Sequence, residues 1–260
     1  MKAMIFAAGL GTRLRPLTND RPKALVELDG RTLLQIALAR LRDFGIRDAV
    51  INVHHFADQL IAYLAEHGNF GMNIEVSREE VLLDTGGGLR KAAHFFLADS
   101  RANEGDEPIL VHNVDVLSTI DFARMAKAHA ASGALATLAV QQRKTSRYLL
   151  FDEDMRLCGR RIGDYATAEI VRPSRQVQAL AFSGVHIISP RLFEKLSEEG
   201  AFSVITSYLR LAGAGESICA FRGDEYYWRD LGRPDDLKRA AEDLKEKRVG
   251  KRSEVPGTEA

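Results

Sequence analysis

The sequence predicts an α/β fold: a mostly parallel sheet with helices on both faces. Three observations predict it. From Lys2 to Val140, short apolar runs alternate with stretches of helical spacing, the β-α-β-α order that a parallel sheet requires. The chain has 260 residues, 45% apolar and 28% charged, ordinary usage for one large domain with a substantial core. The first apolar run ends in small residues and glycines, and the carboxyl ends of strands are where open α/β sheets bind ligands.

Each element has a local reason. Lys2 to Ala7 reads as a buried strand. Thr32 to Phe44 repeats apolar residues at helical spacing (Leu33, Leu34, Ile36, Ala37, Leu38, Leu41), and Gly45 ends it. Ala49 to Val53 is a second buried strand, and Ala57 to Glu66 a helix with Leu60, Ile61 and Leu64 on one side. Met72 to Ser77 alternates as a strand, and Ile109 to Val111 is a strand running into His112-Asn113-Val114-Asp115. Phe122 to Ala131 is a helix and Ala134 to Val140 a strand. From Gln141 to Leu180 short strand-like pieces (Tyr148 to Asp152, Arg156 to Cys158, Ala166 to Val171) lie between turn residues, a β-rich insertion over one sheet edge. Ala181 to Ile188 returns to buried-strand character. Pro190 to Leu196 and Ser203 to Leu211 are helical; Ser217 to Arg222 and Tyr226 to Asp230 are short strands. Pro234 to Lys247 is a charged amphipathic helix with proline in its first turn, where Asp235 and Asp236 suit the helix dipole. Residues 1–247 form the expected domain, and the polar segment 248–260 is expected to be a disordered tail.

Composition narrows the function. Lys plus Arg number 36 and Asp plus Glu 36, so the net charge is zero. Surfaces that track nucleic acid need a basic excess, so nucleic acid is not the expected partner. Cys158 and Cys219 lie far apart without metal spacing and read as reduced thiols. No apolar run reaches the ~18 residues a membrane span needs, and the chain enters a strand straight after Lys2. A cytoplasmic protein with no membrane partner is expected, and its oligomeric state is not legible.

The chemistry concentrates at the first loop, Ala7-Ala8-Gly9-Leu10-Gly11-Thr12-Arg13-Leu14-Arg15-Pro16-Leu17-Thr18, followed by Arg21-Pro22-Lys23. Glycines and small residues let backbone N–H groups approach phosphate oxygens, and Arg13 and Lys23 add full charge. That suits a nucleoside triphosphate. No Walker-type string occurs. A dinucleotide fingerprint needs a third glycine where Leu14 stands, and Pro16 and Pro22 forbid a helix opening from the loop. A plain glycine-rich turn would not need Arg13 and Lys23. Asp115 lies just beyond the strand Ile109 to Val111, and a carboxylate facing a triphosphate holds Mg²⁺. Mg²⁺ takes one or two carboxylates, and Asp230, in Trp228-Arg229-Asp230-Leu231-Gly232, is the candidate for the second. Helix capping or turn formation is the alternative role for either aspartate.

These blocks resemble the signature of sugar-1-phosphate nucleotidylyltransferases: the first loop, Arg21-Pro22-Lys23-Ala24-Leu25, Leu83-Asp84-Thr85-Gly86-Gly87-Gly88, Asn113-Val114-Asp115, Phe182-Ser183-Gly184 and Trp228 to Gly232. They follow the family's order over roughly residues 1 to 245. The resemblance is closest to compact members acting on N-acetylmuramate, heptose or mannose 1-phosphate. It implies a Rossmann-like, GT-A-like fold. It implies that Ala8, Gly9, Gly11, Thr12 and Asn113 line the nucleotide, with Arg13 on the β- and γ-phosphates and Lys23 at the α-phosphate. Gly86 and Gly87 would approach the base, Ser183 and Gly184 would edge the sugar pocket, and Asp115 and Asp230 would hold Mg²⁺. Val114 stands where the family has a small residue, so an altered pocket floor is expected. The family's phosphate-holding lysine has no clear counterpart; Arg143, Lys144, Arg147, Arg160, Arg161 and Arg172 are the candidates.

The implied reaction is in-line attack by a sugar 1-phosphate on the α-phosphorus of UTP or GTP, with Arg13, Lys23 and Asp115 as the catalytic residues. Two other classes compete. A non-catalytic nucleotide-sugar-binding regulatory subunit would not need Lys23 and both aspartates. A dinucleotide oxidoreductase would need the missing third glycine.

Overall fold

The computed structural model describes residues 1–97, 107–163 and 167–246. In chain order the elements are β1 (Lys2–Phe6), β2 (Glu27–Leu28), β3 (Arg31–Thr32), α1 (Leu33–Asp43), β4 (Asp48–Val53), α2 (Ala57–Glu66), β5 (Asn73–Arg78), α3 (Asp84–Lys91), α4 (Ala93–Leu97), β6 (Ile109–Asn113) and β7 (Val116–Ser118). There follow α5 (Phe122–Ser132), β8 (Ala136–Gln141), β9 (Arg147–Phe151), β10 (Leu157–Ile162), β11 (Glu169–Ile170), β12 (Gln178–Ile188), α6 (Arg191–Lys195), α7 (Val204–Gly213), β13 (Ile218–Arg222), β14 (Trp228–Asp230) and α8 (Pro234–Lys245).

One large sheet runs β11-β10-β9-β12-β6-β1-β4-β5, with β8 on β12 and β13 on β8. The pairs β6-β1, β1-β4, β4-β5 and β8-β13 are parallel, as the alternating sequence predicts. Residues of β1 separate by parity onto two cores, as period-two side-chain alternation demands. Ala3 and Ile5 join the core under α1, α2, α5 and α8; Met4 and Phe6 join the core under α3, α4, α6 and α7. Helices therefore cover both faces.

Local chemistry sets the helix ends. Thr32, Asp121 and Ser203 cap α1, α5 and α7, each side-chain oxygen accepting a first-turn backbone N–H. Gly133 closes α5 in the left-handed region. Pro234, Asp235 and Asp236 open α8 as expected. The buried stripe of α1, Leu33, Leu34, Ala37, Leu38 and Leu41, matches its helical spacing, each leucine adding ~1.5–3 kcal/mol by burial.

Several elements differ from expectation. The glycine segment expected to meet a base is itself the helix α3, followed by α4, because its glycines permit contacts described below. Short β7 was not foreseen; three residues carry too little periodicity. β12 begins at Gln178 rather than Ala181 and belongs to both halves of the sheet. Its second half pairs with β6, its first half with β9, and the β8 register shifts between Phe182 and His186. The first half of β12 thus runs past the carboxyl end of β6, where it pairs with β9 of the β-rich segment. The expected strand from Ala166 starts outside the described residues, and β11 covers Glu169–Ile170. Lys247 and the expected tail 248–260 also lie outside them. Among the described residues no helix is long and apolar enough to cross a membrane.

Candidate active site

The parallel strands β1, β4 and β6 end side by side, with Phe6 in register with Asn52 and with Asn113. The loop after β1 leaves from there. Ala8 is buried beneath it, Gly9 is exposed, and a Cβ at Gly9 would meet nothing within 4 Å. The amides of Gly9, Leu10 and Gly11 donate to no backbone carbonyl among the described residues. Gly11 is the position where glycine is required: its φ is +65°, and a Cβ would sit 3.0 Å from Thr18 Cγ2 and 3.2 Å from Lys23 Cβ. Thr18 Oγ1 donates to Gly11 O at 2.9 Å and closes the loop. Thr12 and Arg13 follow in a single 3-10 turn, and Lys23 opens another.

The loop's two cations face the two nominated carboxylates. Lys23 Nζ forms an ion pair with Asp115 Oδ2, both side chains largely buried. Arg13 Nη2 lies 3.9 Å from Asp230 Oδ1, both half-exposed. The aspartates share hydrogen-bonded backbone. β14 pairs antiparallel with β7, Asp230 is in register with Val116, and Leu231 N–H donates to Asp115 O at 2.8 Å. Asp230 Oδ1 accepts from Gly232 N–H at 2.6 Å. A Cβ at Gly232 would lie 2.5 Å from Arg13 Nη2 and 2.6 Å from Asp230 Oδ1, so that glycine makes room for the pair. β14 is anchored by Arg229, which with Tyr227 binds the Asp243 carboxylate on α8.

Gly86, Gly87, Ser183 and Gly184 are each packed closely against protein chain. Gly86 and Gly87 are buried beneath residues 200–202: a Cβ would strike the Phe202 ring from Gly86 and the Gly200 carbonyl from Gly87. Both their N–H groups donate to Phe202 O, at 2.8 and 3.3 Å. Ser183 is fully buried; its carbonyl accepts from Trp228 Nε1 at 2.7 Å, and its hydroxyl has no partner among the described residues. Gly184 is buried at φ +71°, and a Cβ there would approach Asn113 Nδ2 to 2.7 Å. Absence of a Cβ serves close approach of protein chain as well as of ligand, and the sequence does not distinguish them. Val114 is buried and belongs to the same core cluster as the α1 leucines. His112 is buried with Nδ1 bonded to Asn113 O at 2.7 Å, and burial lowers its pKa to about 4, so it stays neutral near pH 7.

Two residues escaped the sequence reading. Asn52, at the end of β4, accepts Ala7 N–H on Oδ1 at 2.8 Å and donates through Nδ2 to Glu79 Oε1 at 2.7 Å. Glu79 Oε2 accepts Leu83 N–H at 2.9 Å, and both side chains are buried. This relay joins the start of the first loop to the segment leading into α3. The signal was an asparagine inside the apolar run Ala49 to Val53; a buried amide needs partners.

Among the described residues no cluster of three or more His, Cys, Asp or Glu could hold a metal ion. Two hard oxygen donors, Asp115 and Asp230, are what the site offers a cation. They match an ion that completes its shell with phosphate oxygens and water.

The chain resembles known proteins along almost its whole length. A family model described as nucleotidyl transferase matches residues 2–247. An N-acetylmuramate alpha-1-phosphate uridylyltransferase of Caulobacter vibrioides is 36% identical over 247 residues, 92% of this chain and 95% of that one. A mannose-1-phosphate guanyltransferase of Debaryomyces hansenii is 29% identical over 239 residues, 91% of this chain but 62% of that one. The crystal structure of HddC from Yersinia pseudotuberculosis complexed with GMP-PN superposes with a TM-score of 0.71 at 22% identity, covering 94% of this chain and 99% of that one, a likeness of fold.

Proposed function

From the premise that the chain belongs to the nucleotidyl transferase family, we propose that it joins a nucleoside triphosphate to a sugar 1-phosphate, releasing pyrophosphate. The observation that carries this reading is the convergence of Lys23 on Asp115 and of Arg13 on Asp230, from one glycine loop, at the carboxyl edge of a parallel sheet.

In the proposed reaction a phosphate oxygen of the sugar 1-phosphate forms a bond to the α-phosphorus. The bond from that phosphorus to the β-phosphate bridging oxygen breaks, and its electron pair leaves with pyrophosphate. The nucleophile is already anionic, so no general base is needed. The barrier is repulsion between anions and charge growing on the leaving group; positioning and fixed cations lower both. The free amides of Gly9 and Gly11, with Ala8 and Thr12, cradle the triphosphate. Arg13 takes the β- and γ-phosphates, Lys23 the α-phosphate, and Asn113 lies against the nucleotide. Asp115 and Asp230 fit Mg²⁺, which when bound supplies positive charge to phosphate oxygens. Residues 1–247 would work as one domain, with segment 141–180 on the sugar side.

The uridylyltransferase matches this chain along 95% of its own length, so UTP with N-acetylmuramate 1-phosphate is the first pair to test, and GTP with mannose 1-phosphate the second. The product would be a nucleotide sugar for cell-envelope polysaccharide, made in the cytoplasm. The test is a grid of four nucleoside triphosphates against glucose, mannose and N-acetylmuramate 1-phosphates, read by pyrophosphate release with Mg²⁺ and with a chelator. One pair is expected to turn over with Mg²⁺ alone. Lys23→Ala should lower that turnover by about 10²–10³-fold, the scale for losing one charge-stabilising donor. Near-normal turnover in Lys23→Ala would overturn the assignment.

A further inference from the structure

Six basic residues were nominated for the acceptor phosphate, and the structure separates them. Arg160 pairs with Glu169, and Arg172 with Asp152. Lys144 and Arg147 are exposed. Arg161 lies over the Tyr148 ring, 5.0 Å from its centroid. Arg143 differs from Arg161 in packing closer on its ring and in lying within reach of the Asp230 charge. Its guanidinium carbon lies 3.6 Å from the Trp228 ring centroid, and its Nη2 donates to Phe182 O at 2.7 Å. Its Nε, like that of Arg161, is buried with no partner among the described residues. Trp228 is itself fixed by its bond to Ser183 O.

Trp228 and Asp230 are two residues apart on β14, so their side chains leave the same face of the strand, about 7 Å apart. The indole therefore holds a guanidinium next to the carboxylate that Arg13 approaches from the other chain segment. Burial depresses the Arg143 pKa while the Asp230 charge and Tyr148 act against that fall, and a guanidinium stays charged throughout. A partly desolvated permanent cation with unspent donors is costly unless an anion completes it. A fork of N–H donors suits a phosphate dianion.

The geometry points to Arg143 as the residue that receives the phosphate of the sugar 1-phosphate, with Trp228 as the platform that aims it. This deepens the reaction proposed above and rests on it. Donor and acceptor phosphates would thus be held from two segments, Arg13 and Lys23 on the first loop and Arg143 on the β-rich segment.

Trp228 is the chain's only tryptophan, so its emission reports on the stack directly. The full chain and its Arg143→Met and Arg143→Lys variants would be titrated with inorganic phosphate and with glucose 1-phosphate, following Trp228 fluorescence. Both anions should change the wild-type emission in a saturable way. Arg143→Met should abolish the change and Arg143→Lys should weaken it. With whichever sugar 1-phosphate the grid accepts, Arg143→Met should raise its KM by about tenfold or more while the nucleotide KM stays within about twofold. Glucose 1-phosphate carries no carboxylate, so a response to N-acetylmuramate 1-phosphate alone would assign Arg143 to a sugar carboxylate and overturn the proposal. An unchanged phosphate response in Arg143→Met, or equal rises in both KM values with a lowered Tm, would also overturn it in favour of a packing role. If no pair in the grid turned over while the phosphate response held, the reaction would fail and the anion site would stand.

Discussion

Lys23 and Asp115 neutralise each other: Nζ of one meets Oδ2 of the other at the mouth of the sheet, largely out of water. Lys23 is the cation assigned to the α-phosphate, and Asp115 is a carboxylate assigned to the metal. Either ligand arriving alone must break the pair and leave one charge uncompensated. With those proposed roles, metal and triphosphate would be coupled through these two side chains, each binding better with the other than without it.

Asp115→Asn tests that coupling. The substitution frees Lys23 and removes a negative charge from the phosphate site. Nucleoside triphosphate binding measured by calorimetry in a chelator should tighten by about fivefold or more, the scale of one like charge removed at close range. Turnover with Mg²⁺ should fall by about 10²-fold or more through loss of a charge-stabilising interaction. Metal-free affinity that is unchanged or weaker would show that the ion pair does not restrain Lys23.

Gly232→Ala should disturb Asp230 without unfolding the protein. The new methyl would lie 2.5 Å from Arg13 Nη2 and 2.6 Å from Asp230 Oδ1, and both would have to move. Misplacement on the scale of an ångström costs about 10²-fold in rate. We expect that loss in kcat/KM and a higher Mg²⁺ requirement, with Tm close to wild type. Wild-type kcat/KM would show that the position of Asp230 is not critical.

Glu79→Gln should break the buried relay. The carboxylate accepts from Asn52 Nδ2 and from Leu83 N–H; an amide has one oxygen, and its NH₂ would face a donor. Asn52 is committed to Ala7 N–H and cannot turn to compensate. The expected cost is ~1–3 kcal/mol in denaturant unfolding, the penalty for an unsatisfied buried group. Release of the first loop should also raise the nucleotide KM. A stability loss with an unchanged nucleotide KM would confine the relay to folding.

Two buried histidines should make the fold acid-sensitive. Burial lowers the His112 pKa to about 4 and the His186 pKa to about 3; the Arg40 charge adds to the fall at His112, and His112 to the fall at His186. Unfolded, each returns to the ordinary value of 6.5. The unfolded state thus binds more protons below that value, so their contribution is full above about pH 6.5 and is lost as pH falls toward the folded values. At about pH 5 the loss from His186 is on the order of 2 kcal/mol relative to neutral pH. His186→Phe should flatten the decline of Tm between pH 7 and pH 5. Since neither ring nitrogen of His186 has a partner among the described residues, it should not lower Tm at pH 7. An equally steep decline in the variant would place the acid sensitivity elsewhere.

Much was legible before any coordinates. The helices capped by Thr32, Asp121 and Ser203, the parallel strands and the glycine loop all follow from spacing and turn chemistry within a few residues. The roles of glycines were less legible. Gly11 is where the first loop requires one, yet Gly86, Gly87 and Gly184 accommodate Phe202, Gly200 and Asn113. Arg143 was indistinguishable from five other basic residues, because a side chain's solvent exposure depends on what folds over it.

By itself the sequence determined the succession of most strands and helices along the chain, the glycine-rich and cationic character of the first loop, and the residue types that gather there. Those are short-range properties, written in periodicity, capping and glycine placement. Only the tertiary structure decided that Lys23 meets Asp115, that Arg13 meets Asp230, that Asn52 and Glu79 brace the loop, and that Arg143 lies on Trp228. The partners in the ion pairs and the stack are far apart in the chain. Strand order and the bend in β12 bring them together, and neither is encoded in any local pattern.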